Sequence, residues 1–148
     1  MIQAEAYSAY LDGRNGARGA ATTRLRAALA AAERLRRVSL AGACRVLLAR
    51  LAIEAGDTSG ALAAITMPAD VESRLQPEVA AEVNLIRIDA AGPAAGKQSE
   101  AARQAIRQIV DGLRAPVPAE RLNAFLSRPR IRRLLAAIDG QATAQARR

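Results

Sequence analysis

The chain has 148 residues, 51% of them apolar, and carries 22 Lys and Arg against 14 Asp and Glu, a formal charge of +8 with no histidine. That length can bury one sizeable core, and ten Gly, six Pro and one Cys exclude a collagen, a mucin-like stalk and a disulfide scaffold. Aromatics are 2% while alanine alone is a quarter of the chain, which argues against a β-sandwich or barrel, and the apolar share argues against disorder.

Apolar spacing is helical from end to end. Ile2 to Asp12 predicts a first helix, followed by a glycine-spaced turn at Gly13, Gly16 and Gly19. A long helix then runs from about Ala17 to Arg37, with Ala21, Leu25, Leu29 and Ala32 on one face. Ser39 is expected to cap the next helix, because its hydroxyl can accept from a free backbone N–H. That helix carries Leu40, Cys44, Leu47, Leu48 and Leu51 and stops at Gly56-Asp57. A short helix from about Thr58 to Ile65 leads to the breaker Met67-Pro68.

Pro77 suits the first position of a further helix, where its missing N–H costs nothing, and Glu78 behind it favours the helix dipole. Val79, Val83, Ile86 and Ala90 form its apolar stripe, and Gly92-Pro93 ends it. Ser99 is expected to cap a helix carrying Ala102, Ile106, Ile109, Val110 and Leu113. Ala115 to Pro118 is a stiff connector. Two short helices follow, Ala119 to Ser127 and one beginning near Pro129 that Gly140 ends.

The turns are short, so consecutive helices are expected to be antiparallel neighbours. Gly13, Gly56 and Gly92 each close the first helix of a pair, at separations within the range of helix-hairpin repeats. The run LLARLAIEAGDTSGALAAI, residues 47–65, resembles a tetratricopeptide hairpin. The residues that carry the likeness are Leu48, Ala49, Gly56, Asp57, Ala61, Leu62 and Ile65. Ala52 stands where the family usually has an aromatic, and no proline follows the second helix at the family's distance. Residues 2–36 and 77–114 look like looser copies, and LNAFLSRPRIRRLLAAI is similar to the helical tail that closes repeat regions in large bacterial regulators and kinases.

The expected fold is therefore all-α, with about eight helices and no sheet. Antiparallel hairpins at about 2–36, 39–66 and 77–114, with closing helices at 119–138, stack as a short right-handed solenoid. One domain covers 1–140, and 141–148 is a frayed tail. The lone Cys44 cannot form an intramolecular disulfide, and Glu5 stands where a secretory signal needs positive charge. The most apolar run, Val46 to Ile53, is interrupted by Arg50 and falls short of the roughly 20 residues a membrane span requires. The expected location is the cytoplasm.

No catalytic set is legible. Without histidine there is no His-based triad, general base or metal ligand, and one cysteine excludes Cys-rich zinc patterns. Cys44 shares a stripe with Leu40, Leu47 and Leu51 and is expected to be a buried structural residue. Gly92 to Ser99 fails as a phosphate loop: three residues separate its glycines, and Gln98 follows Lys97. The glycines at 13, 16 and 19 read as a flexible turn. Glu78 and Glu82 read as a solvated i, i+4 pair. No enzyme activity, metal or cofactor is expected.

The arginines are unevenly placed. Residues 14–50 carry nine Arg and one acid, and residues 121–148 carry seven Arg and one acid, around an acidic middle. Arg26, Arg34 and Arg37 are expected on the helix face opposite Leu25 and Leu29, while Arg130, Arg132 and Arg133 crowd one short segment. These six are the candidate contacts to an anionic partner, because guanidinium groups bind carboxylate and phosphate bidentately. The bland alternative is that they only solvate the surface. Two functional readings remain open. One is a protein-interaction or scaffold module that holds an acidic segment of another protein or domain in a helical groove, as in bacterial signalling or transcriptional regulation. The other is a basic nucleic-acid-binding protein, for which the lack of stacking aromatics counts against single-strand binding.

Overall fold

A computed structural model describes residues 1–92 and 96–140. The described residues form nine α-helices, α1 (Ile2–Arg14), α2 (Arg18–Arg34), α3 (Val38–Glu54), α4 (Thr58–Ile65), α5 (Ala69–Glu72), α6 (Pro77–Ala91), α7 (Gly96–Arg114), α8 (Leu122–Leu126) and α9 (Pro129–Ile138). A single 3-10 turn at Ala119–Arg121 precedes α8, and there is no strand among the described residues. The one-turn α5 was not expected from the sequence. The expected fraying of 141–148 lies outside the described residues.

The first three helices end in one recurring turn. Gly16, Arg36 and Gly56 have left-handed backbones, with φ of +110°, +52° and +78°. Each donates its N–H to the carbonyl of the residue three back, and the next residue donates to the carbonyl five back, as in Ala17 to Asp12 (3.0 Å), Arg37 to Ala32 (2.9 Å) and Asp57 to Ala52 (2.9 Å). This pair of hydrogen bonds satisfies carbonyls that a helix end otherwise leaves free. The turn recurs every 20 residues, and α2 and α3 are both 17 residues long. Gly13 therefore lies inside α1 rather than closing it. There, an added Cβ would sit 2.8 Å from that of Ala21.

Helix starts differ in their chemistry. Asp57 caps α4 by accepting from the Gly60 N–H at 2.7 Å. Pro77 occupies the first turn of α6 as expected. Ser39 does not cap α3, which begins one residue earlier. Its hydroxyl accepts from the Gln76 N–H at 3.2 Å, joining the starts of α3 and α6. Ser99 likewise lies within α7 and is buried.

α1 pairs with α2, α3 with α4, and α6 with α7. In addition, α3 packs on both α1 and α2, and α6 packs on both α3 and α4. The closing α9 rests on α6 and α7. Three apolar clusters result. Ala9, Leu25, Cys44, Leu47 and Leu51 fill the first, Val46, Ala49, Ile65, Val83 and Ile86 the second, and Leu85, Ile88, Ile106, Phe125 and Leu134 the third.

α3 and α6 each contribute to two clusters, so both need apolar residues on two faces. This accounts for the nearly continuous run Val46 to Ile53. α7 buries one face only and leaves Gln104, Gln108 and Asp111 to solvent. Alanine and glycine sit where helices meet most closely. Ala9, Ala32, Ala49, Ala61 and Ala81 have no exposed surface, and Gly42 faces Leu75 and Val79 so closely that a Cβ would meet the leucine at 2.6 Å.

Candidate functional site

Eight of the arginines pair with carboxylates of the same chain among the described residues. Arg24 of α2 pairs with Glu5 (2.7 Å) and Asp12 (2.5 Å) of α1. At the far end of these helices, Glu54 gathers the Tyr10 hydroxyl (3.1 Å) and Arg14 (3.4 Å), and Arg18 donates to its backbone carbonyl at 3.3 Å. Burial and the bond to Glu54 raise the Tyr10 phenol above its ordinary value. Glu82 pairs with Arg50 of α3 and with Arg133 of α9. It is only 19% exposed, so it is not the solvated partner of Glu78 that its spacing suggested.

Arg87 grips both oxygens of Glu72, at 2.6 and 2.8 Å, and also donates to the buried Asn84 at 3.2 Å. The guanidinium holds the Glu72 carboxyl below the usual glutamate range.

The six sequence-derived candidates separate into two kinds. Arg130 donates to the Glu78 carbonyl at 2.7 Å and Arg133 reaches Glu82 at 3.7 Å, so both fasten α9 to α6. Arg26, Arg34, Arg37 and Arg132 are exposed, with no acidic side chain at ion-pair distance among the described residues. The expected common face of α2 does not hold for all three of its arginines. α2 ends at Arg34, and Arg37 stands at the foot of α3. Arg26 borders the same shallow recess as Leu29 rather than opposing it.

Arg37 instead joins a cleft of about 470 Å³ between the α2–α3 turn, α3 and the segment 67–74. Arg36, Arg37 and Arg74 line it, and its apolar wall includes Val38, Ala41, Met67 and Val71. The fourth arginine, Arg45, is already engaged. It donates to the carbonyls of Ala64 and Thr66, each at 3.2 Å, and to Glu33 at 2.8 Å. Glu33 is the only acid lining the cleft. Sequence reasoning missed Arg36 and Arg74. The run Arg36-Arg37 was a signal for the first, but nothing local points to the second.

A second recess, of about 760 Å³, lies between α5, α6 and α7. α4 stops after eight residues, against 17 in α3, so this side of α7 is bordered by the single turn of α5 and the approach to Pro77. Leu75, Ala80, Ala105, Ile109 and Leu113 give the recess an apolar lining.

Cys44 has no exposed surface, and burial pushes its thiol up, so it is an inert core residue as expected. Among the described residues no three His, Cys, Asp or Glu side chains gather closely enough to hold a metal ion, and no helix is long and apolar enough to cross a membrane. Comparison of the chain with protein-family models, curated proteins and solved structures found no match.

Proposed function

We propose that this chain is a non-catalytic interaction module built from tetratricopeptide-like helix hairpins stacked as a short right-handed solenoid. The observation that carries the reading is the order of packing. The first helix of each later hairpin lies against both helices of the hairpin before it, the arrangement by which hairpins that cannot bury their own apolar faces stack. The turn repeated at Gly16, Arg36 and Gly56 supports it.

In this reading a partner segment, helical and apolar on one side, lies in the recess between α5, α6 and α7. Such grooves take amphipathic helices through anchors at i, i+3 and i+4. Exposed arginines of α2 draw acidic parts of the partner and raise the rate of encounter more than the final affinity. A photo-reactive side chain at Gln108 tests this by cross-linking. An adduct with a second polypeptide is expected, and Ala105→Trp, which fills the recess, should abolish it. An adduct that persists at full yield in that variant rejects the groove.

A second reading, a basic nucleic-acid-binding protein, draws on the exposed and ionically unpartnered Arg26, Arg34, Arg37 and Arg132. It requires affinity that falls linearly in a log–log salt titration, with a slope that shrinks as those arginines are replaced. No measurable binding at low salt rejects it.

A further inference from the structure

The cleft at the α2–α3 turn gathers three of the arginines that have no carboxylate partner among the described residues. Arg14, Arg24, Arg45, Arg50, Arg87, Arg103, Arg107 and Arg133 all have carboxylate partners. Arg36, Arg37 and Arg74 have none among the described residues, yet they line one cleft of about 470 Å³. Its single acid, Glu33, already accepts from Arg45. Three guanidinium groups around one concavity repel each other and concentrate positive potential there.

The backbone adds a second asymmetry. Arg36 holds a left-handed conformation that glycine holds in both sister turns. A side chain with a Cβ is disfavoured there, because the Cβ crowds the carbonyl oxygen that follows it. Glycine at this position would relieve that strain and would also remove one of the three guanidinium groups. Val38, Ala41, Met67 and Val71 supply an apolar wall beside the charges, and the volume falls within the range of small-molecule sites.

We propose that this cleft binds a small amphiphilic anion, its charged head held by Arg36, Arg37 and Arg74 and its apolar body lying on Val38, Met67 and Val71. A phosphate monoester matches the head best. It carries close to two negative charges and several acceptor oxygens, and forked guanidinium donors engage these pairwise. A carboxylate head offers the same chemistry more weakly. The site is separate from the recess between α5, α6 and α7.

Titration calorimetry on the full chain tests this with four probes: hexyl phosphate, hexanoate, inorganic phosphate and hexanol. Hexyl phosphate should bind more tightly than inorganic phosphate, and hexanol should not bind. The variant Arg74→Gln should weaken hexyl phosphate about tenfold, as the loss of one charge-assisted contact implies. Arg36→Gly should weaken it similarly while leaving the turn intact, so a loss there cannot be ascribed to misfolding. The control Arg26→Gln with Arg132→Gln removes equal or greater charge elsewhere and should leave the affinity unchanged. Hexanoate binding as tightly as hexyl phosphate supports the site and assigns a carboxylate ligand. Equal binding of hexyl and inorganic phosphate, or equal losses in the control variant, overturns the proposal in favour of diffuse surface attraction. Wild-type affinity in both Arg36→Gly and Arg74→Gln overturns it as well.

Discussion

Arg36 and Gly56 occupy the same place in the same turn, 20 residues apart, with φ of +52° and +78°. Each donates its N–H to the carbonyl three residues back, at 2.9 Å in both turns. Glycine adopts this conformation without strain, whereas arginine meets its own carbonyl through Cβ. Arg36→Gly should therefore stabilise the chain by about 0.5–1 kcal/mol, the relief of strain outweighing the added freedom of the unfolded chain. Gly56→Ala should destabilise it by about 1 kcal/mol. Midpoints of urea unfolding measure both, and a lower midpoint for Arg36→Gly contradicts the assignment of strain.

The same substitution should act with opposite signs in two helices. In α7, a Cβ at Gly112 meets nothing within 4 Å, so Gly112→Ala gains helix propensity of about 1 kcal/mol. In α3, a Cβ at Gly42 would lie 2.6 Å from Leu75 Cδ2 and 2.9 Å from Val79 Cγ1. Leucine can shift its tip, but the β-branched valine is stiff at χ1. Gly42→Ala should cost about 1–3 kcal/mol through overpacking, despite its better propensity. Thermal melts of the two variants, shifted in opposite directions, are the expected result.

Glu72 and Arg87 give the fold an acid-sensitive joint between α5 and α6. The folded state holds the Glu72 pKa below 4.5, the ordinary value. The pair's contribution is therefore complete above the unfolded pKa and is lost as pH falls through the lower, folded value. Glu72→Gln should cost about 1–2 kcal/mol near neutral pH and make the stability curve flatter between neutral and acid conditions. Unfolding free energies measured from pH 7 to pH 3 check this, and an unchanged acid limb rejects it.

Glu82 ties α3 and α9 to α6 at once, through Arg50 and Arg133. Glu82→Gln should cost about 1–3 kcal/mol and loosen α9, leaving Arg133 without its carboxylate. Limited trypsin digestion should then cut faster after Arg130, Arg132 or Arg133, while sites in α2 keep their wild-type rate. Uniform acceleration at all sites would indicate global destabilisation instead.

Cys44 should resist thiol reagents. It is fully buried, and its raised pKa leaves little thiolate at neutral pH. Its modification rate should follow the unfolding equilibrium as urea is added. Rapid labelling of the native protein would contradict the packing of α1, α2 and α3 around it.

Some of this was legible in the residues alone. Periodic Leu, Ile and Ala at helical spacing established an all-helical chain, and Pro77, Gly56 and Gly92 marked helix ends, because those signals act within one or two turns of backbone. The burial of Cys44 followed from its stripe. Local rules failed where a distant group competed for the same atom. Ser39 had a hydroxyl suited to capping α3, but the Gln76 N–H, 37 residues away, took it. Glu82 had the spacing of a surface residue, and packing against α3 and α9 gave it two arginines. Arg36 carried no sign of a left-handed turn, since arginine does not favour that backbone. The cleft itself arose only when segment 67–74 came against α3 and placed Arg74 beside Arg36 and Arg37. Composition and short-range spacing determined that this protein is helical and rich in arginine. Which arginines neutralise acids, and which three remain facing one cavity, was decided by the packing of helices that lie far apart in the chain, because ionic contacts depend on distance in space rather than along the sequence.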